Sequence, residues 1–149
     1  MSSEAAINLV IDTLLARITT NFSALGITAV TERDEEPQYI EPSTAYVIPF
    51  VEGKDSIRML SGGEEHSYPI NIVGFYKYAD IATGLRPVRT YGLTCLDLFT
   101  RNNGTIISAD GYHAAEANDA TIEVGNFRVG DYIMHYFSLQ LMMRQMVDC

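Results

Sequence analysis

Cysteine is scarce: only Cys95, inside an apolar helical pattern, and Cys149, the last residue, occur among 149 residues. Two thiols so placed make neither a disulfide framework nor a metal spacing, so the fold rests on its core and suits a reducing compartment. Basic residues are also few, with 10 Lys and Arg against 19 Asp and Glu and a net charge of -9. A protein that grips nucleic acid by neutralising phosphates needs the opposite balance. No apolar run approaches the roughly 18 residues of a membrane span. The opening Met1-Ser2-Ser3-Glu4 lacks the basic region of a signal peptide. These absences predict a chain made in the cytoplasm with no membrane partner.

Catalytic signatures are missing too. His66, His113 and His135 each lack a second ligand at short spacing, so no metal is expected. Gly62-Gly63 lacks the phosphate-loop frame and reads as a turn, and no serine sits in a nucleophile elbow. The adjacent carboxylates Glu35-Glu36 and Glu64-Glu65 fall in charged stretches, where such pairs are solvated rather than shared as acid and base. The expectation is no catalytic residue and no cofactor. A small acidic enzyme using His66, Glu64 or Glu65 is the remote alternative.

What is present suits a folded domain: 47% of residues are hydrophobic and 19% charged. A chain of this length buries about 68 to 70% of the surface its unfolded form exposes. Ile7, Val10, Ile11, Leu14, Ile18 and Phe22 recur at helical spacing, with Ser2 or Ser3 as N-cap and Gly26 as stop. Short strands are predicted at Ile27 to Thr31 and Ala45 to Val51, where Pro49 calls for an edge or a bulge. Ser56 to Tyr78 reads as a hairpin turning at Gly62-Gly63. A loop from Asp80 to Gly84 precedes a helix with Pro87 in its first turn, followed by Val88, Tyr91, Cys95, Leu98 and Phe99. Gly92 weakens that helix by roughly 1 kcal/mol relative to alanine, which points to a close neighbour. Thr105 to Ile107 is a short strand and Ser108 to Ala120 a mobile loop. Thr121 to Val129 and Tyr132 to about Met146 form the last hairpin. The order predicts a single α+β domain over residues 1–149, an antiparallel or mixed sheet with two helices on one face.

Strand alternation gives this sheet a second usable face. Ile70, Ile72, Tyr76 and Tyr78 share one side of their strand, and Val73 and Phe75 lie on the other. In the last strand Ile133, His135, Phe137, Leu139, Leu141 and Met143 oppose Tyr132, Met134, Tyr136, Ser138, Gln140 and Met142. Tyrosines and methionines are typical of interfaces. Candidate subunit or tube contacts are therefore Val73, Phe75, Tyr76, Tyr78, Tyr132, Met134 and Tyr136. From Thr31 to Glu65, nine acidic residues (Glu32, Asp34, Glu35, Glu36, Glu41, Glu52, Asp55, Glu64, Glu65) face three basic ones (Arg33, Lys54, Arg58). They form either a solvated surface or, where loops converge in a ring, a rim or lumen that repels a polyanion. Glu35, Glu36, Glu64 and Glu65 are the candidates for it.

The N-terminal helix, the Ala45 to Val51 strand, the hairpin ending Ile70-Asn71-Ile72-Val73-Gly74-Phe75-Tyr76, the Pro87 helix and the final hairpin together resemble the tail terminator, or tail completion, proteins of long-tailed bacteriophages. The resemblance spans nearly the whole chain and is one of size and element order, without a short motif. It implies a virion structural protein without catalysis: a homo-oligomeric, hexameric ring that caps the tail tube protein and meets the head connector or neck protein. DNA would pass through the ring without being gripped. A head-tail joining, neck or minor tail protein is the alternative.

Overall fold

The computed structural model describes residues 3–33, 41–49, 56–60, 62–108 and 111–148. Helix α1 (Ser3–Thr20) is followed by a single turn, α2 (Phe22–Leu25). The turn ends at Gly26, whose φ of 64° is a left-handed conformation that glycine adopts without strain. Strands β1 (Ala29–Glu32), β2 (Thr44–Pro49), β3 (Ser56–Leu60) and β4 (Gly63–Tyr78) come next. Helix α3 (Ile81–Leu98) precedes β5 (Thr105–Ile107), β6 (Ala114–Val129) and β7 (Tyr132–Asp148). All seven strands join one mixed sheet in the order β1-β2-β4-β7-β6-β5, with β3 beside the first part of β4. This is the expected α+β class.

Strand β4 is the spine. Its start pairs with β3 as the expected hairpin, Leu60 facing Gly63. Its later part pairs with β2 from Ile70 to Phe75, and its whole length pairs with β7. Pro49 ends the parallel β1–β2 ladder for a local reason. The Arg33 amide donates to the Val47 carbonyl at 2.9 Å, and the next donor in that ladder would be residue 49, which has no N–H.

Two boundaries differ from the sequence reading. Helix α3 begins at Ile81, not near Pro87, because the Asp80 side chain caps it by accepting from the Thr83 amide at 2.9 Å. The same amide holds the Asp80 carboxyl below its usual pKa. Pro87 thus lies inside the helix, where it deprives the Thr83 carbonyl of its intrahelical donor. The second correction concerns Ser108 to Ala120, most of which is strand: β6 starts at Ala114 and pairs with β7 from Ala115 onward. A register shift between Ala117 and Asp119 breaks the alternation. Ala115 and Ala117 face the helices before it and Ala120 and Ile122 after it, so no period-2 pattern runs through.

Both long helices cover one face of the sheet. Ile7, Val10, Ile11, Leu14 and Ile18 of α1 and Val88 and Cys95 of α3 are buried against Val47, Tyr68, Ile70, Ile72, Phe137, Leu139, Leu141 and Met143. Burial pushes the Cys95 thiol up to about 12. Arg17 ties the two helices together, donating to the Leu98 carbonyl at 2.8 Å and the Asn103 carbonyl at 2.9 Å beyond the end of α3, a favourable place for a cation. Helix α3 sits close on the strands. A Cβ at Gly84 would lie 2.3 Å from the His135 ring, and one at Gly92 would lie 2.9 Å from Ile122 and 3.0 Å from Phe137.

Close packing fixes the sign of a test. Glycine to alanine in an exposed helix stabilises by about 1 kcal/mol, whereas overpacking costs about 1 to 3 kcal/mol. Gly84→Ala is therefore expected to lower the urea midpoint, and an unchanged or raised midpoint would show that α3 is not held on His135.

Candidate functional site

The face away from the helices carries its own cluster. Tyr46 and Ile48 of β2, Val73 and Phe75 of β4 and Met134 of β7 are all buried, with Val129, Tyr132 and Tyr136 packed around them. Register explains the assembly: Val73 faces Tyr46 on one side and Ser138 on the other, while Phe75 faces Thr44 and Tyr136. The Phe75 ring meets Tyr46, Phe127 and Tyr136 with centroids 5.9, 6.5 and 6.3 Å apart, in the tilted and edge-on geometries aromatic pairs prefer. Lys77 lies 4.4 Å from the Tyr132 ring centroid and Arg33 5.9 Å from that of Tyr46. Beyond this cluster the same face turns polar, a shallow hollow of about 380 Å³ lined by Asn71, Thr121, Glu123, Ser138 and Gln140.

The seven candidate contact residues therefore do not form one surface. Val73, at 2% exposure, Phe75 and Met134 are covered within the single chain. Tyr132 and Tyr136 flank them and are half-buried. Tyr76 and Tyr78 lie on the opposite side, toward the helices. The Tyr76 ring stacks on Tyr91 at 4.8 Å, its hydroxyl donates to the Leu25 carbonyl, and its pKa is raised chiefly by burial. Tyr78 packs edge-on against His135 at 5.4 Å.

The acidic candidates separate in the same way. Glu35 and Glu36 lie outside the described residues. Glu64 and Glu65 are consecutive strand residues, so they point to opposite faces. Glu64 meets the buried His66, 2.8 Å from its Nε2, and Glu65 sits opposite Arg58 and Met146. As neighbours on opposite faces they make no shared acid–base pair. His135 is buried under α3, its Nε2 3.4 Å from the Asp80 carbonyl oxygen, and His113 lies far along the chain in the approach to β6. Among the described residues no group of three metal-ligating side chains comes together, and no helix is long and apolar enough to cross a membrane.

Sequence reasoning missed one buried polar anchor and the sheet's free edges. Gln145 accepts from the Tyr68 hydroxyl at 2.8 Å and donates to the Ala6 carbonyl at 3.2 Å, joining β4 and β7 to α1. Strand β5 covers β6 only from Ala114 to Glu116. The Ala117 amide then donates to the Gly104 carbonyl at 2.9 Å, and from Asn118 to Val129 the outer edge of β6 has no strand beside it among the described residues. Val124 and Phe127 on that edge, and Ile81, Leu85 and Leu93 on α3, are exposed. At the other edge β3 pairs only with β4 among the described residues, leaving Ile57 54% and Met59 70% exposed. The four-residue spacing of Ile81 and Leu85 was the available signal. A second apolar stripe beside the core stripe of a helix marks a surface still to be covered.

No protein-family model and no curated protein matches the chain. A solved structure described as "Virion of native gene transfer agent (GTA) particle" contains a chain similar to this one at 18% identity and a TM-score of 0.40, over 94% of this chain and 92% of that one.

Because Val73 is buried within one chain, an aspartate there desolvates a charge without a partner. Val73→Asp is expected to unfold the monomer or lower its stability by several kcal/mol, read as a fall in Tm in dilute protein. Unchanged dilute-state Tm would mean that the cluster is open to solvent.

Proposed function

We propose that this chain is a structural protein of a phage-type virion: a tail terminator that self-assembles as a ring, caps the tail tube and meets the head connector. The observation that carries the reading is the sheet itself, which is covered by helices on one face and whose β3 and β6 outer edges, with no strand beside them among the described residues, carry exposed apolar side chains. Free edges of that kind are templates for further pairing. The element order described from the sequence supports the family, and the charge of -9 suits a ring through which DNA passes without being held. A head-tail joining or neck protein would use the same surfaces and is the second reading; position beside a major tail protein gene favours the terminator.

Electron microscopy of the purified protein, alone and mixed with tail tubes, tests this directly. Rings, and tubes capped at one end, are expected. A protein that neither forms rings nor binds tube ends overturns the terminator role, and binding to the head side alone transfers it to the neck.

A further inference from the structure

The outer edges of β3 and β6, which have no strand beside them among the described residues, carry complementary side chains. On β6, Val124 belongs to the helix-side face, because it pairs with Phe137, while Thr121 and Glu123 belong to the other face with Gln140 and Ser138. The helix side of this edge is extended by α3. Tyr91 stacks on Tyr76 of β4 and Gly92 abuts Ile122 of β6, so the flank with the exposed Ile81 and Leu85 looks toward β6. A strand added beside β6 therefore needs apolar residues on its helix side. Its other side meets Glu123, whose side chain accepts from the Tyr136 hydroxyl at 3.3 Å.

Strand β3 has that pattern. Ile57 faces His66 and Met59 faces Glu64, placing both on the helix side, while Arg58 faces Glu65 on the other. Strand direction also agrees. β3 runs antiparallel to β4, β4 to β7 and β7 to β6, so a second copy set alongside with its helices on the same side brings its β3 antiparallel to β6. The other exposed apolar residue near an edge fits less well: Ile107 of β5 pairs with Ala114, on the face away from the helices, and would meet Arg58.

Resting on the self-assembly reading above, we propose that β3 of one copy adds to the Asn118 to Val129 edge of β6 in the next, continuing the sheet across the subunit boundary. Ile57 and Met59 then pack against Val124 under the Ile81 and Leu85 flank, and Arg58 approaches Glu123. The contact joins two different surfaces, so each copy offers one of each, and repetition closes a ring if the rotation permits.

That asymmetry gives a test. One variant carries Arg58→Glu and Met59→Lys, the other Val124→Asp; none of these residues is buried, and circular dichroism checks that both variants fold. By light scattering the wild-type chain should be oligomeric and each variant alone monomeric. An equal mixture should give a one-to-one dimer, joined through the single intact β3 and the single intact β6 edge. Either variant keeping the wild-type mass, or a mixture that stays monomeric while the wild type assembles, overturns this pairing and leaves self-assembly standing. A wild type monomeric up to millimolar concentration overturns both.

Discussion

The ladder between β4 and β7 is the constraint on which the rest depends. It runs without a break from Gly63 opposite Asp148 to Tyr78 opposite Ile133. Side chains alternate along it, so a slip of one residue would turn every buried residue to the wrong face. With this register Ile70, Ile72, Leu139 and Leu141 meet the helices, and Val73, Phe75 and Met134 meet each other beneath them. Glycine at 84 and 92 lets α3 settle onto β7 closely enough for this register to be felt through the helix layer.

The ladder is also long. The 16 residues of β4 span roughly 50 Å at about 3.3 Å each, whereas the 18 residues of α3 reach roughly 27 Å. One helix layer cannot cover such a sheet. Its β3 end keeps Ile57 and Met59 outside, and its β6 side keeps Val124 outside. The same feature that gives the protomer its rigid spine leaves apolar surface at its margins, so stability of the protomer and its capacity to associate have a common origin.

Much of this was legible in the sequence. The β4 and β7 faces follow from strict alternation, and α1 from its helical stripe, because in each case one periodicity runs without interruption. Where two local signals competed, the reading failed. Pro87 suggested a first turn, but the Asp80 cap seven residues before it decided where α3 begins. The bulge at Ala117 to Asp119 concealed half of β6. Alternation already set Tyr76 and Tyr78 on the side opposite Val73, and the structure keeps them there; Glu64 and Glu65, adjacent in sequence, point to opposite faces because both lie in β4. Free edges were invisible because strand order is a property of pairing across the chain, not of any stretch within it.

The central claim is that this sheet is completed by another copy along its open β6 margin. Hydrogen–deuterium exchange of the Asn118 to Val129 amides, compared between dilute and concentrated protein, addresses it most directly. Amides that point away from β7 should exchange freely when dilute and become protected as concentration rises, while those bonded to β7 stay protected throughout. Outward amides that exchange at the same rate at every concentration would contradict it.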